Sequence, residues 1–202
     1  MSNTYNGKLV AAEGIDHSGK TTVIENLQHE LGNNWHYTKE PSDGKYGQYV
    51  RETLSDNHNP SPADFYLFLA DRYEHCNNVI RPTLEHGTNI LCDRYHLSTF
   101  AYQSRVLDEQ LKIIDPFKYI EEMTGHFVIE PDLTIYVDIP VDVALQRMDD
   151  DAEKYEKKER LTEAKRVYDY FADAKDHVVR VDGTMSEENV LGAAMHHVKF
   201  SI

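Results

Sequence analysis

The chain alternates short apolar segments with amphipathic segments from end to end. Five apolar runs are bounded by polar or turn-forming residues, as is typical of buried strands. Strands that are separated by helices form parallel sheets covered on both faces, so the pattern predicts an α/β fold with a five-stranded parallel sheet. The predicted strands are Lys8–Glu13, Trp35–Thr38, Thr88–Cys92, Leu133–Asp138 and Val178–Asp182.

The helical segments show apolar residues that recur every three or four positions. The longest of them places Phe65, Leu69, Tyr73 and Cys76 at this spacing, and the last begins with Ser186 as a helix N-cap. The predicted helices are Gly19–Leu31, Pro62–His86, Val141–Met148 and Ser186–Val198.

One segment departs from this pattern, because Asp149–Arg160 is charged almost throughout. Its exceptions are Ala152 and Tyr155, so the segment cannot bury an apolar face. It is either a solvated helix or loop, or a mobile lid that brings cations to a phosphate group. We expect residues 1–202 to form a single domain, with the lid at about 149–160.

Length and composition limit the class of protein. The 202 residues are 40 % hydrophobic and 28 % charged, which suffices for one folded domain. The net charge of −14 argues against nucleic acid or an anionic membrane as a partner. No apolar run approaches the ~20 residues of a membrane helix, and the polar start of the chain does not resemble a secretion signal. Cys76 and Cys92 form no metal-binding pattern, so we expect a reduced, cytoplasmic protein.

A glycine-rich loop between the first strand and the first helix carries the strongest local signal. Residues 14–21 match the phosphate-binding P-loop pattern G-x-x-x-x-G-K-[ST]. Its glycines let backbone N–H groups converge on phosphate oxygens, and the following helix N-terminus adds partial positive charge. Lys20 would reach the β- and γ-phosphates of a nucleotide, while Thr21 would face Mg²⁺. The alternative is an ordinary strand–turn–helix with a surface lysine.

A P-loop protein also needs an acidic group near its metal, and Asp93 ends the third predicted strand. Ligands of parallel sheets gather at the carboxyl ends of the strands, so we expect Asp93 and Thr21 to hold Mg²⁺ together. The alternative is that Asp93 caps the following helix. These features predict nucleoside triphosphate binding. A GTPase would carry Asn-Lys-x-Asp, and the sequence contains no Asn-Lys pair.

Beyond the P-loop, separated segments resemble the thymidylate kinase family of P-loop proteins. Glu13–Thr22 is similar to the family's E-G-x-D-x-x-G-K-[ST]-T, and Phe68–Arg72 is similar to a second family segment. Asp93–Gln103 resembles D-R-Y-x-x-S-x-x-A-Y-Q, and Thr38–Pro41 resembles T-R-E-P with lysine in place of arginine. The resemblance implies a three-layer P-loop fold.

The resemblance also implies a pocket for the base of an acceptor nucleotide. Phe68 would stack on a thymine ring, an interaction of roughly 1–3 kcal/mol per base. Arg72 would donate to a base carbonyl, and Thr99 and Gln103 would contact the base edge. Tyr102 would disfavour a ribose 2′-hydroxyl. Taken singly, these residues have ordinary structural alternatives, such as core packing for Phe68 or a surface ion pair for Arg72.

Other residues are implied to contact phosphates. Arg94 would hold the 5′-phosphate of the acceptor, assisted by Lys39, which cannot form arginine's bidentate fork. Asp16 would face the acceptor sugar and phosphate. Arg147 would pack on adenine, with a solvent-facing position as its alternative. The remaining implied ATP contacts are Gly14, His17, Ser18, Gly19, Lys20, Thr21 and Thr22.

The sequence departs from the family at the cation of the transition state. Some members have an arginine where His17 stands here, and histidine is largely neutral near pH 7. Other members supply the cation from the lid, and Glu153–Glu156 resembles the family's lid with lysine in place of arginine. We therefore expect Arg160 or Lys154 to stabilise the transition state.

The activity that the resemblance implies is transfer of the γ-phosphoryl group of ATP to thymidylate, with Mg²⁺, in dTTP biosynthesis. Catalysis would depend on Lys20, Asp93, Arg94 and the lid cations. Arg94 with Lys39 favours a monophosphate acceptor, and kinases for another deoxynucleotide or for a deoxynucleoside are the alternatives. A non-catalytic nucleotide-binding module is a further alternative, against which the intact Lys20 and Thr21 argue. The family also implies a homodimer formed by helix packing.

Overall fold

A computed structural model describes residues 5–55, 61–148 and 158–202. Five strands form one parallel sheet in the order β2-β3-β1-β4-β5, which confirms the predicted α/β fold and its five-stranded sheet. Each strand begins and ends within one residue of its predicted limits. The strands are β1 (Leu9–Glu13), β2 (Trp35–Lys39), β3 (Asn89–Asp93), β4 (Leu133–Asp138) and β5 (Val178–Asp182).

Helices connect the strands and cover both faces of the sheet. A π-helical turn, Cys76–Ile80, joins α3 to α4, so the long helix predicted from Pro62 is continuous. The helices are α1 (Lys20–Leu31), α2 (Lys45–Ser55), α3 (Pro62–His75), α4 (Arg81–Glu85), α5 (His96–Leu111), α6 (Pro116–Thr124), α7 (Val141–Gln146), α8 (Lys158–Ala174) and α9 (Glu187–Ser201). None of these helices is long and apolar enough to cross a bilayer.

The alternation of side chains along the central strand separates the layers. All five residues of β1 are buried. Val10 and Ala12 belong to an apolar cluster shared with α1 and α9. Leu9 and Ala11 belong to a cluster shared with the π-helical turn and α4 on the opposite face. A third cluster joins α3, α5, α7 and α8 and includes Phe65. The sheet therefore lies between two helical layers.

The segment predicted to be a lid falls only partly within the described residues. Residues 149–157, which include Lys154, lie outside them. The last part of the predicted segment, Lys158–Arg160, forms the first turn of α8. The ion pair between Lys158 Nζ and Asp142 Oδ1, at 2.9 Å, links this turn to α7.

The sheet register brings three predicted site segments to one edge. Ala12 of β1 pairs with Asp93 of β3, and Asp93 pairs with Lys39 of β2. Since all strands are parallel, the P-loop after β1 begins beside Asp93, with Lys39 on the other side. Ligand sites of open α/β sheets form at this carboxyl edge.

Candidate active site

The P-loop follows β1 and has a backbone that requires glycine at two positions. Gly14 has φ +144°, and a Cβ there would lie 2.6 Å from the carbonyl oxygen of Val137. Gly19 has φ +94° and is the N-cap of α1. Helix α1 therefore starts at Lys20, with the N–H groups of its first turn available to an anion.

Lys20 is held inside the P-loop. Its side-chain amine donates to the carbonyl oxygen of Ile15 at 2.7 Å and lies 3.5 Å from Ser18 Oγ. Burial disfavours the charged amine, and together with the positive charge of Arg94 it lowers the pKa of Lys20 to about 7. Nucleotide phosphates placed here would favour the charged form again.

Thr21 and Asp93 place two side-chain oxygen atoms together at the mouth of the P-loop. Thr21 Oγ1 donates to Asp93 Oδ2 at 3.3 Å, joining α1 to the end of β3. A hydroxyl and a carboxylate are the hard oxygen donors that Mg²⁺ prefers, and a site with few protein ligands leaves positions for water and phosphate. The donor set thus fits the predicted magnesium site.

Arg94 connects the P-loop to α5. It has φ +61°, and its Nη1 donates to the carbonyl oxygen of Gly14 at 3.1 Å and to Ser98 Oγ at 3.3 Å. Its Nη2 forms an ion pair with Asp16 Oδ1, and the guanidinium lies 5.4 Å from the ring centre of Tyr102. Tyr102 Oη donates to Asp16 Oδ2 at 3.0 Å. Arg94, Asp16 and Tyr102 therefore form one group.

The charges in this group stabilise each other. Burial would raise the pKa of Asp16, but Arg94 and Lys20 outweigh it, so the pKa lies below its usual value. Burial would lower the pKa of Arg94, but Asp16 together with Tyr102, Tyr168 and Asp93 outweighs this effect, so the pKa is raised. Both groups are therefore charged at neutral pH.

Glu13, at the end of β1, fixes the start of α5. Its Oε1 accepts from the backbone N–H groups of Tyr95 at 2.9 Å and Ser98 at 3.1 Å. Its Oε2 accepts from Ser98 Oγ at 2.6 Å and from Tyr168 Oη at 3.1 Å. A buried carboxylate from another element thus caps α5 and sets the position of Arg94, which directly precedes Tyr95.

A small cavity of about 130 Å³ lies between α3 and α5. All five side chains that the sequence predicted for the acceptor base line it. Leu54 of α2 also lines it, and sequence reasoning missed this residue. The predicted lining residues are Phe68, Arg72, Thr99, Tyr102 and Gln103.

Arg72 is buried at the wall of this cavity. Its Nε donates to Glu40 Oε2 at 2.8 Å, and its Nη2 donates to the same oxygen and to the carbonyl oxygen of Tyr95 at 2.9 Å. Its Nη1 donates to Thr99 Oγ1. Among the described residues these bonds leave one N–H on Nη1, a single donor for a ligand in the cavity.

A larger cavity of about 800 Å³ surrounds the P-loop. In a chain of net charge −14, basic side chains gather at its wall. They include Arg51 of α2, which sequence reasoning missed because α2 was not among the predicted helices. Arg51 Nη1 donates to the carbonyl oxygens of Pro41 at 2.8 Å and Ser42 at 2.6 Å. The basic residues along the wall are Lys20, Lys39, Arg51, Arg94 and Arg147.

Arg147 links the P-loop to the segment after β5. Its Nη1 donates to the carbonyl oxygens of His17 at 3.2 Å and Ser18 at 3.3 Å, and its Nη2 to that of Gly183 at 3.2 Å. His17 and Thr22 also line the larger cavity. Contact between Arg147 and adenine therefore stays a prediction, although the residue lies beside the phosphate loop.

Arg160 lies in the first turn of α8 and is half-buried. Among the residues described, it does not line either cavity. Its predicted role as the transition-state cation stays a prediction, as does that of Lys154, which lies outside the described residues.

The two cavities meet at shared residues. Asp16, Glu40, Pro41 and Arg94 line both of them. A nucleotide bound with its base in the smaller cavity would direct its 5′-phosphate toward Arg94, opposite the phosphates of a second nucleotide on Lys20. This fold and this pair of cavities define a P-loop kinase that acts on a nucleotide.

Comparison with known proteins identifies the family. The family model for thymidylate kinase matches residues 12–193, so the chain belongs to the thymidylate kinase family. A probable thymidylate kinase from Natronomonas pharaonis is 33 % identical over 193 residues, which cover 95 % of this chain and 97 % of that protein. A thymidylate kinase from Brachyspira hyodysenteriae is 30 % identical over 201 residues, covering 96 % and 95 %.

A solved structure shares the fold. The structure of thymidylate kinase from Candida albicans superimposes with a TM-score of 0.81 at 23 % identity. The match covers 96 % of this chain and 91 % of that chain. The P-loop fold that the sequence predicted is therefore confirmed over nearly the whole length.

Proposed function

We propose that this enzyme transfers the γ-phosphoryl group of ATP to the 5′-phosphate of thymidylate, giving ADP and thymidine diphosphate for dTTP biosynthesis. Membership of the thymidylate kinase family supports the activity. The structural observation that supports it best is the junction of the two cavities, because Arg94 and Asp16 line both of them.

On the donor side, we propose that the P-loop backbone from Gly14 to Thr22 and the amine of Lys20 bind the ATP phosphates. Thr21 and Asp93 would hold Mg²⁺, which neutralises phosphate charge when bound. Arg147 would contact adenine, since it lies at the edge of the larger cavity next to the P-loop.

On the acceptor side, we propose that Phe68 stacks on thymine while Arg72, Thr99 and Gln103 contact its edge. Arg94 would hold the 5′-phosphate, and Lys39 and Arg51 border the same cavity. Lys39 is mostly exposed and lies 3.7 Å from Asp43, so it is free to turn toward a phosphate.

Both reactants are polyanions, so charge repulsion is the main obstacle to their meeting. The phosphate acceptor is already anionic and requires no general base. Catalysis therefore consists of positioning and electrostatic stabilisation by Lys20, Arg94 and a lid cation, Arg160 or Lys154.

An acceptor panel tests this function. ADP release is measured with thymidylate, deoxyuridylate, deoxycytidylate, deoxyguanylate and thymidine as acceptors. We expect the highest kcat/KM with thymidylate. A higher value with thymidine would identify a deoxynucleoside kinase, a higher value with another monophosphate would change the base assignment, and no turnover with any acceptor would indicate a binding module.

We also propose a cytoplasmic homodimer. Cys76 and Cys92 are both buried free thiols, as expected in a reducing compartment. Tyr66 and Tyr73 of α3, seven residues apart on one helix, are about half exposed, and so is Tyr49 of the adjoining α2. Such aromatic side chains are enriched at protein interfaces and support dimerisation by helix packing.

A further inference from the structure

A chain of hydrogen bonds leads from β2 to the guanidinium at the base cavity. Thr38 Oγ1 lies 2.7 Å from His75 Nε2, and His75 Nδ1 lies 3.0 Å from Glu40 Oε1. The other oxygen of Glu40 accepts from Arg72 Nε at 2.8 Å. Thr38 belongs to β2, and Glu40 to the turn after it. Both His75 and Arg72 belong to α3, so the chain of hydrogen bonds joins β2 to α3 beside the cavity.

Three of these groups are almost completely removed from solvent, while Thr38 is half-buried. The side chains of His75, Glu40 and Arg72 are 1 %, 4 % and 2 % exposed. A buried carboxylate needs partners for both of its oxygens, because water cannot replace a missing one at low cost. Among the described residues, His75 is the group that binds Oε1, while Arg72 occupies Oε2.

The orientation of Glu40 determines the orientation of Arg72. Two nitrogens of the guanidinium bind the same carboxylate oxygen, so rotation of the carboxylate would turn the guanidinium plane. The Nη1 atom of that plane binds Thr99 and carries the remaining N–H beside the cavity. A change in the orientation of the Glu40 carboxylate would therefore turn the Nη1–H donor of Arg72 away from a base in the cavity.

We propose that His75 and Thr38 are positioning residues for the acceptor base, acting through Glu40 on Arg72. Neither residue lines either cavity, and this chain of hydrogen bonds links their side chains to the cavity that holds Arg72. Thr38 orients the imidazole, and the imidazole fixes the carboxylate. This inference rests on the proposed function, because it assigns the base cavity to thymidylate.

Substitution of Thr38 separates the hydrogen bond from the packing. Thr38→Val keeps the β-branched shape and removes the hydroxyl, whereas Thr38→Ser keeps the hydroxyl. For Thr38→Val we expect the KM for thymidylate to rise about fivefold, since an indirect loss is smaller than that of a direct bond to a charged group. For the same variant, the kcat at saturating thymidylate and the KM for ATP should stay within about twofold of the wild-type values. Thr38→Ser should retain the wild-type KM for thymidylate.

A double-mutant cycle tests whether the two residues act in sequence. The side-chain nitrogen of His75→Asn can still reach Glu40 but cannot reach Thr38. We therefore expect Thr38→Val to have no further effect on the KM for thymidylate in the His75→Asn background. Thr83→Val on α4 and His86→Asn directly after α4, both away from the two cavities, are the matched controls and should leave this KM unchanged.

Thermal denaturation of each variant completes the experiment. A lower melting temperature with an unchanged KM for thymidylate in both Thr38→Val and His75→Asn would show a merely structural role and overturn the inference. Additive effects in the double variant would also overturn it. If the wild-type enzyme does not phosphorylate thymidylate, the proposed function itself fails and the inference fails with it.

Discussion

The pKa of the Lys20 amine depends on the charges that surround it in the site. Its pKa is lowered to about 7, because the amine is buried and lies near Arg94. A phosphate chain in the P-loop would raise this pKa toward its ordinary value near 10.4. The amine should therefore take up a proton when a nucleotide binds.

Calorimetric titration with ADP in buffers of different ionisation enthalpy measures that proton. At about pH 8 the free amine is mostly neutral, so we expect uptake of nearly one proton, and at about pH 6 almost none from this group. Lys20→Arg, which stays charged at both values, should remove the uptake at the higher pH. Equal proton uptake by the wild type and Lys20→Arg at the higher pH would contradict the assignment.

The position of Arg51 at the larger cavity could not be predicted from the sequence. Its position at the larger cavity depends on the packing of α2 and on its bonds to the carbonyl oxygens of Pro41 and Ser42. We expect Arg51→Ala to raise the KM for thymidylate at least about tenfold, because a cation near the acceptor phosphate and an anchor of the turn are both lost. Lys45→Ala, on the same helix but outside both cavities, is the control and should have no effect.

At the scale of elements, the cap that Glu13 provides is the feature that fixes α5. Glu13→Ala would leave the N–H groups of Tyr95 and Ser98 without a buried acceptor, so we expect a loss of about 3 kcal/mol in the free energy of unfolding. Glu188→Ala, in the exposed first turn of α9, should cost only a few tenths of a kcal/mol. Urea denaturation at one protein concentration compares the two, and equal losses would refute the capping role.

The predicted lid segment, which ends in the first turn of α8, carries the prediction about the transition-state cation. Replacing Arg160 and Lys154 with alanine one at a time should lower kcat by about 100-fold or more for the residue that contacts the transferring group. His17→Ala should change kcat little, because an imidazole does not supply the permanent charge of an arginine. Wild-type rates in both lid variants together with an inactive His17→Ala would assign the cation to the P-loop instead.

The elements could be predicted to different extents. Strands β4 and β5 match the predicted limits Leu133–Asp138 and Val178–Asp182. Each is a mostly apolar run that ends in a charged residue, a pattern that indicates where a buried strand stops. The P-loop, Asp93 and the base pocket follow from motifs whose members lie on adjoining strands and helices. Helix α8 was not predicted, because its first turn belongs to the charged segment. Its buried residues Leu161, Ala164 and Tyr168 nevertheless have helical spacing. The cap by Glu13 depends on a contact 82 residues away in the chain, which no local pattern contains.

At the scale of the whole molecule, the exposed tyrosines on α2 and α3 predict a dimer interface. Light scattering after size-exclusion chromatography should give twice the mass of 23.4 kDa for the wild type. Tyr49→Glu places a charge in this surface and should shift the mass toward that of the monomer. Tyr170→Glu, at a somewhat more exposed tyrosine on α8, should remain dimeric. A monomeric wild type, or equal effects of the two variants, would exclude this interface.

We propose that cations along the wall of the larger cavity, with Arg94 at its junction with the smaller one, hold two nucleotides with their phosphates end to end. A bisubstrate compound that joins adenosine and thymidine through a chain of five phosphates measures this directly by calorimetric titration. We predict that it binds at least about 100-fold more tightly than ADP or thymidylate alone, and that Lys20→Met and Arg94→Ala each weaken it. Affinity no greater than that of ADP, or insensitivity to Arg94→Ala, would show that the two nucleotides do not bind end to end.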